Sequence, residues 1–260
     1  MVKRAFDIVF SLTLLLLLSP FLLVVALAVK LSDGGPILYR HERVGRYGTH
    51  FFILKFRTMV QRHAFKSELT LRRDPRITPI GRFLRATKLD ELPQLINVLR
   101  GEMSVVGPRP ESPRYVAHYT PEMRAALDLR PGLTGPASVL FRSQEQLLDG
   151  MDFEQYYVAV LMPVKMGINL EYVAHHSVWI DLTIIARTII ALFRPSPPPP
   201  LVSPAEAVRA ALPALEEQGL ATTVFVAASV PSVPVKTPRA TRPPQPYIAP
   251  SPPEQMSASF

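Results

Sequence analysis

The sequence predicts an α+β fold, mostly helical: an N-terminal membrane helix, a small β-hairpin and amphipathic helices around a basic core. Three observations carry that prediction. Residues 5–29 form an apolar run whose only charge is Asp7. Two short stretches rich in aromatic and branched residues flank the turn Gly45-Arg46-Tyr47-Gly48. Beyond Arg82, apolar side chains recur at the three- and four-residue spacing of helices. The chain therefore divides into a membrane helix at 1–33, a folded domain at 34–194 and a tail at 195–260.

The first element is long enough to cross a bilayer, which takes about 20 apolar residues. It is too long for the core of a cleaved secretory signal, and Lys30-Leu31-Ser32-Asp33 lacks the small residues of a cleavage site. Pro20 sits near its middle and cannot donate to the Leu16 carbonyl. Ser19 is placed to bond a carbonyl freed by that break, which is how a bend survives in lipid. Lys3 and Arg4 precede the run, and Lys30, Arg40, Arg43 and Arg46 follow it. Positive charge on both flanks gives the positive-inside rule no winner unless both ends stay in the cytoplasm. On these grounds alone a kinked spanning helix and a hairpin that returns to the same face stay balanced.

Ile37–Arg43 and His50–Phe56 are predicted to pair as the hairpin. Helices are expected at Arg82–Lys88 and from about Asp90 to a stop at Gly101. Val105–Pro113 reads as a proline-stiffened loop, Pro121–Asp128 as a helix and Pro131–Gly135 as a turn. Phe153–Val164 and Ile168–Phe193 complete the ordered part. In the last, Trp179, Ile180, Leu182, Ile185, Ile189 and Leu192 are apolar, with Arg187 and Arg194 beside them. A long helix with the chain's one tryptophan fits either an interfacial position on a membrane or a place in the core.

The 260 residues carry a net charge of +8, and the stretch from Arg40 to Arg100 alone holds 14 Lys/Arg against 5 Asp/Glu. Such a stretch calls for an anionic partner: lipid headgroups, a phosphorylated substrate or nucleic acid. No nucleic-acid recognition motif is visible, so nucleic acid is not expected. The absence of cysteine excludes disulfides and thiolate metal sites. The tail holds 16 of the 28 prolines, so most of it is expected to lack regular structure. Ser203-Pro204-Ala205-Glu206 fits a capping box for one short helix there.

Phosphate-loop, dinucleotide-binding and zinc-protease patterns are all missing, as is an Asp-x-Asp metal grip. His175 and His176 are adjacent and cannot face one ion from one side of a helix. What remains is Arg85-Ala-Thr-Lys88-Leu89-Asp90-Glu91-Leu92-Pro93-Gln94. An ionised Asp90 at a helix N-terminus, with Arg85 and Lys88 nearby to meet phosphate, could act as a nucleophile and form an acyl phosphate. Glu91 could then move protons or help hold Mg²⁺. The plainer reading makes Asp90 an N-cap and Glu91 a first-turn ornament.

Seven motifs in order resemble the bacterial sugar transferase family, the monotopic phosphoglycosyl transferases that act on polyprenyl phosphate. They are Ser19-Pro20, Arg43-Val-Gly45, Lys55-Phe56-Arg57-Thr58-Met59, Thr78 to Arg85, Leu89 to Gln94, Gly101 to Pro110 and Pro131 to Gly135. The resemblance runs from Lys3 to about Arg194. It implies that the Ser19-Pro20 break makes a re-entrant membrane helix, with amphipathic interfacial helices around a catalytic core facing the cytoplasm at a bacterial inner membrane. It makes Asp90 and Glu91 the catalytic dyad, the carriers of Mg²⁺ and the centre of a two-step reaction. Asp90 takes a sugar phosphate from a UDP-sugar, releasing UMP, and undecaprenyl phosphate then attacks the covalent intermediate. Arg85, Lys55, Arg57 and the Pro108-Arg109-Pro110 loop become substrate-phosphate and nucleotide contacts. Implied partners are the UDP-sugar, undecaprenyl phosphate and membrane lipids, with a homodimer also allowed. The pattern departs at Pro136-Ala137-Ser138, where many members have Trp-Ala-Gln, and at the proline-rich tail.

Overall fold

Helix α1 (Val2–Asp33) runs without interruption through Ser19-Pro20. In the computed structural model, residues 2–60, 74–142 and 157–194 are described; the Ser203 capping box lies outside them. Pro20 leaves the Leu16 carbonyl without its helical donor, and Ser19 Oγ donates to that oxygen at 2.8 Å. The serine supplies the bond the proline removes, and the helix continues.

One stripe of α1 lies against the rest of the protein. Asp7, Ser11, Val25 and Val29 are buried, while Leu12, Leu16, Leu17, Leu23, Val24 and Leu27 on the other faces are exposed. Polar contacts fix the first end. Arg4 donates to the carbonyls of Val98 and Leu99 at 2.6 and 2.9 Å, where a cation meets the negative end of a helix. Asp7 Oδ1 accepts from Ser104 Oγ and the Val105 N–H, both at 3.0 Å. Lys3 pairs with Asp181. At the other end Val25 and Val29 pack with Phe56 and Leu84 in a small apolar cluster joined by Leu22, Ile37, Ile80 and Leu89. Asp33 there pairs with Arg57.

Strands β1 (Leu38–Val44) and β2 (His50–Phe56) form the expected antiparallel hairpin, with Leu38 opposite Phe56 and Val44 opposite His50. Buried residues of β2, including Phe51 and Ile53, join the main core with Val98, Met103 and Tyr172. Helix α2 (Pro79–Thr87) is capped by Thr78, whose Oγ1 accepts from the Gly81 N–H at 3.0 Å. Gly81 presses on the strand exit: a Cβ there would stand 2.1 Å from the Thr58 carbonyl oxygen.

The helix expected from Asp90 starts later. Lys88 takes the left-handed conformation, φ +58°, and ends α2. Leu89–Glu91 then forms a single 3₁₀ turn, and α3 (Gln94–Arg100) begins only after Pro93. Its stop at Gly101, φ +85°, is as expected. Strand β3 (Ser104–Val106) runs into the start of the stretch read as a loop, and the stretch read as a turn contains β4 (Gly132–Thr134); they pair in parallel, Ser104 with Gly132 and Val106 with Thr134. Short α4 (Pro113–Val116) and a 3₁₀ run at Met123–Asp128 lie between them.

Pro136-Ala137-Ser138 opens α5 (Pro136–Leu140), with Ala137 buried. A π-helical turn, Tyr157–Leu161, leads into α6 (Met162–His175). The long helix expected through Phe193 is two: the chain leaves helical geometry at His176, and Ser177 caps α7 (Val178–Phe193) by accepting from the Ile180 N–H. Helix α7 buries Asp181 and Ile184 and exposes Trp179, Leu182, Ile189, Ile190, Leu192 and Phe193. It is thus core on one side and an open apolar face on the other.

Candidate active site

The left-handed turn at Lys88 decides where the two carboxylates go. It ends α2, and the turn that follows carries Asp90 into a buried position. Leu89 joins the small cluster under α1, and Asp90 is only 6% exposed. Its Oδ1 is buried with no hydrogen-bond partner. That overturns the N-cap reading, because a capping aspartate accepts backbone N–H bonds. Burial, then the charge of Glu91, raises its pKa; Lys55, Lys88 and Arg85 pull the other way without prevailing.

Glu91 has the opposite setting. Its Oε1 accepts from Lys55 Nζ at 2.7 Å and from one Arg109 terminal nitrogen at 2.7 Å, and its Oε2 from the other at 3.3 Å. Burial alone would raise its pKa, but Arg109 and Lys55 outweigh that and hold it well below the usual range. Burial lowers the pKa of Lys55 against the opposing pull of Glu91. Arg109 is held more firmly protonated, chiefly by Glu91. Two adjacent carboxylates thus have their proton affinities driven apart, a pattern that separates roles in acid–base and nucleophilic sites.

Three elements converge to build the pair's surroundings. Strand β2 delivers Lys55, the 3₁₀ turn delivers Asp90 and Glu91, and the segment after β3 delivers Arg109. That segment lies close against β4. The Gly107 N–H donates to the Thr134 carbonyl at 2.9 Å and the Gly132 N–H to the Pro108 carbonyl at 2.8 Å. A Cβ on Gly132 would stand 2.1 Å from the Gly107 nitrogen. Beside it, Pro108, Arg109 and Pro110 line a cleft with Gly45, Tyr119 and Pro131.

Of the residues singled out in the sequence, Lys55, Asp90, Glu91 and Arg109 come together. Arg85 sits in the last turn of α2, near enough for its charge to act on Asp90. Arg57 does not join them; it is 6% exposed and pairs with Asp33 at the end of α1. A Cβ on Gly35 would collide with its guanidinium, so the glycine makes room for it. Sequence reasoning missed Glu111, Tyr157 and Lys165, which form a buried network behind the Arg109 loop. Glu111 follows the Pro-Arg-Pro motif directly, and that adjacency was the available signal.

Mg²⁺ prefers oxygen ligands and keeps several waters, using one or two carboxylates beside substrate phosphates. Asp90 Oδ1, buried and unpaired, suits such an ion. Both Glu91 oxygens are already engaged by Lys55 and Arg109. Among the described residues no three His, Cys, Asp or Glu side chains converge as a ready-made metal cage. The donor set fits a cation that arrives with a phosphate ligand.

An apolar helix seated along an α+β domain that holds a buried carboxylate dyad, Glu91 clamped by Lys55 and Arg109 and Asp90 left open, describes a membrane-associated protein with a polar site. The profile of the family described as bacterial sugar transferase matches residues 1–195, and the chain belongs to that family. It is 42% identical over 194 residues to a UDP-glucose:undecaprenyl-phosphate glucose-1-phosphate transferase of Caulobacter vibrioides, covering 73% of this chain and 69% of that protein. A protein of the same description from Escherichia coli is 38% identical over 199 residues, covering 74% of this chain and 40% of the relative. The exopolysaccharide production protein ExoY of Rhizobium meliloti is 36% identical over 208 residues, covering 74% of this chain and 85% of that protein.

Proposed function

We propose that the chain transfers a sugar 1-phosphate from a UDP-sugar to undecaprenyl phosphate, by way of a covalent phosphosugar–aspartate at Asp90. The observation that carries this is the contrast between Asp90, buried with Oδ1 unpaired, and Glu91, held ionised by Lys55 and Arg109. An Asp90 carboxylate oxygen attacks the phosphorus that bears the sugar. The bond from that phosphorus to the bridging oxygen breaks, and UMP leaves with the oxygen and its electron pair. A phosphate oxygen of undecaprenyl phosphate then attacks the same phosphorus, and Asp90 departs as a carboxylate.

Lys55, Arg109, Arg85 and Lys88 surround the pair with cations, which favours binding of a diphosphate and stabilises the charge that develops on it. Glu91 keeps Lys55 and Arg109 in place until the phosphates arrive. Asp90, with Glu91 as the second candidate, would hold Mg²⁺ against the diphosphate, where the ion supplies charge neutralisation. The names of the relatives favour a hexose as the sugar, glucose or galactose, and the start of a surface glycan as the setting.

The same reading places α1 as a re-entrant helix on the cytoplasmic face of the inner membrane. In its support, Arg4 and Asp7 hold one end of α1 to α3 and β3, while Val25, Val29 and Asp33 hold the other to β2 and α2. Both ends of α1 thus pack on one domain, which supports a helix that keeps both ends on that domain's side of the membrane. The exposed apolar face of α7 lies in the interface on this account.

The test is UMP release from UDP-glucose and UDP-galactose with undecaprenyl phosphate present. Wild-type protein is expected to release UMP with one of them, and Asp90→Asn to lose at least about a thousandfold in rate, as removal of a nucleophile does. Full activity in Asp90→Asn would sink the mechanism.

A further inference from the structure

Glu111 has no part in the chemistry above, yet it is the centre of a buried polar network. Its Oε1 accepts from the Tyr157 hydroxyl and, at 3.5 Å, from Lys165 Nζ. Lys165 also donates to Tyr157 Oη at 3.0 Å, and its ammonium stands 4.9 Å from the Tyr157 ring centroid. Tyr157 and Lys165 are 2% and 6% exposed. Taking an ammonium out of water is costly even when it is paired, and a hydrophobic pair of similar volume would often serve stability as well. A network kept at that cost invites a role beyond packing.

What it holds is the far end of the Arg109 loop. The near end is fixed by backbone alone, through Gly107 to Thr134 and Pro108 to Gly132. At the far end the Glu111 carbonyl accepts the Val44 N–H at 2.9 Å, and the Glu111 side chain is gripped by Tyr157 and Lys165. Between these anchors stands Arg109, flanked by prolines that limit its backbone, with its guanidinium on Glu91. Tyr157 opens a π-helical turn, an irregularity that recurs at functional sites because it re-aims side chains. Glu111 also lies near enough to Arg109 to help hold it protonated.

We infer that Glu111, Tyr157 and Lys165 form a positioning unit for Arg109, fixing the loop so that the guanidinium meets the nucleotide's phosphates in one pose. The inference rests on the reading of the site as a UDP-sugar transferase. When a diphosphate displaces Glu91 as the partner of Arg109, the loop keeps its place because Glu111 stays tied to α6. Were the network purely structural, breaking it would lower stability and leave substrate binding by the folded protein unchanged.

The experiment is a double-mutant cycle between Tyr157→Phe, which removes one hydroxyl, and Arg109→Ala. It uses the full chain in lipid nanodiscs with UDP-glucose or UDP-galactose. Tyr157→Phe is expected to raise KM for the UDP-sugar about five- to tenfold while changing kcat by less than about twofold. In the Arg109→Ala background the same substitution should move KM by less than about twofold. Glu111→Gln, which keeps an acceptor for Tyr157, is the second variant and should move KM in the same direction. Hydrogen–deuterium exchange without substrate supplies a readout independent of activity: amides of residues 107–111 should exchange faster in Tyr157→Phe. An equal KM change in both backgrounds, an unchanged KM with a lowered Tm, or unchanged exchange at 107–111 would overturn the positioning role. A wild-type protein inactive on both sugars would overturn the proposed function instead, and exchange would still decide the loop.

Discussion

Asp90 and Glu91 are neighbours in the chain with opposite electrostatic fates, and that difference can be measured without substrate. The folded-state pKa of Asp90 is raised above its ordinary 3.8, so the fold favours its protonated form. The penalty is absent below pH 3.8 and develops as pH rises through the folded-state value. Asp90→Asn carries no such penalty. In EDTA, its Tm should exceed that of wild type by an amount that grows as pH rises above 3.8. Glu91 is held below its ordinary value, so its contribution is present above pH 4.5 and lost as pH falls through the folded-state value. Glu91→Gln should therefore lower Tm at neutral pH, with the deficit shrinking in acid. Thermal scans check both: above about pH 4 for Asp90→Asn, and from about pH 5 down into acid for Glu91→Gln, whose deficit should be constant at higher pH. Differences that do not change across these windows would contradict the assignment of the two environments.

Elements meet in this fold by backbone contact at a few glycines. Gly81 carries α2 against the Thr58 carbonyl, and α2 carries Arg85 and Lys88 toward the carboxylates. Gly81→Ala is expected to cost about 1–3 kcal/mol from overpacking and to lower sugar transfer by shifting the end of α2. Gly48→Ala, where nothing stands within 4 Å of the added carbon, serves as a control that carries only the strain of φ +75°. If Gly81→Ala matched that control in Tm and rate, the close contact would have no role in setting the site.

How much was legible from sequence follows the same scale. The hairpin was readable because alternation and the Gly45–Gly48 turn are local, and the stop at Gly101 because a glycine C-cap is local too. The parallel pairing of Ser104–Val106 with Gly132–Thr134 was not, since three residues give no period and the partner lies far along the chain. Nor was the left-handed Lys88, a lysine in a conformation that glycine usually takes, and it moved Asp90 from a supposed cap into a buried turn. Arg57 was misplaced for a related reason: its partner Asp33 belongs to the end of the membrane helix, which motif order does not bring near β2. The Lys55–Glu91–Arg109 clamp was half legible, each residue being named but not their pairing.

For the whole molecule, the decisive relation is between α1 and the domain it rests on. The chain lacks cysteine, so single cysteines at Val2 and Leu31, both exposed, can report the topology. Neither should react with an impermeant maleimide in intact cells, and both should react once the membrane is opened. Labelling of Val2→Cys alone in intact cells would establish a spanning helix and dislodge the hairpin. On the proposed function a shallow anchor would have a clear use, since a soluble nucleotide sugar and a lipid phosphate would meet at Asp90 near the membrane surface.

The central claim is that this carboxylate becomes covalently loaded. Intact-mass measurement of the purified chain incubated with UDP-glucose or UDP-galactose, without undecaprenyl phosphate, reads that directly. The account predicts a gain of one hexose phosphate, mapped to Asp90, absent in Asp90→Asn and discharged when undecaprenyl phosphate is added. A wild-type protein that makes product with undecaprenyl phosphate, yet never gains that mass, would contradict it.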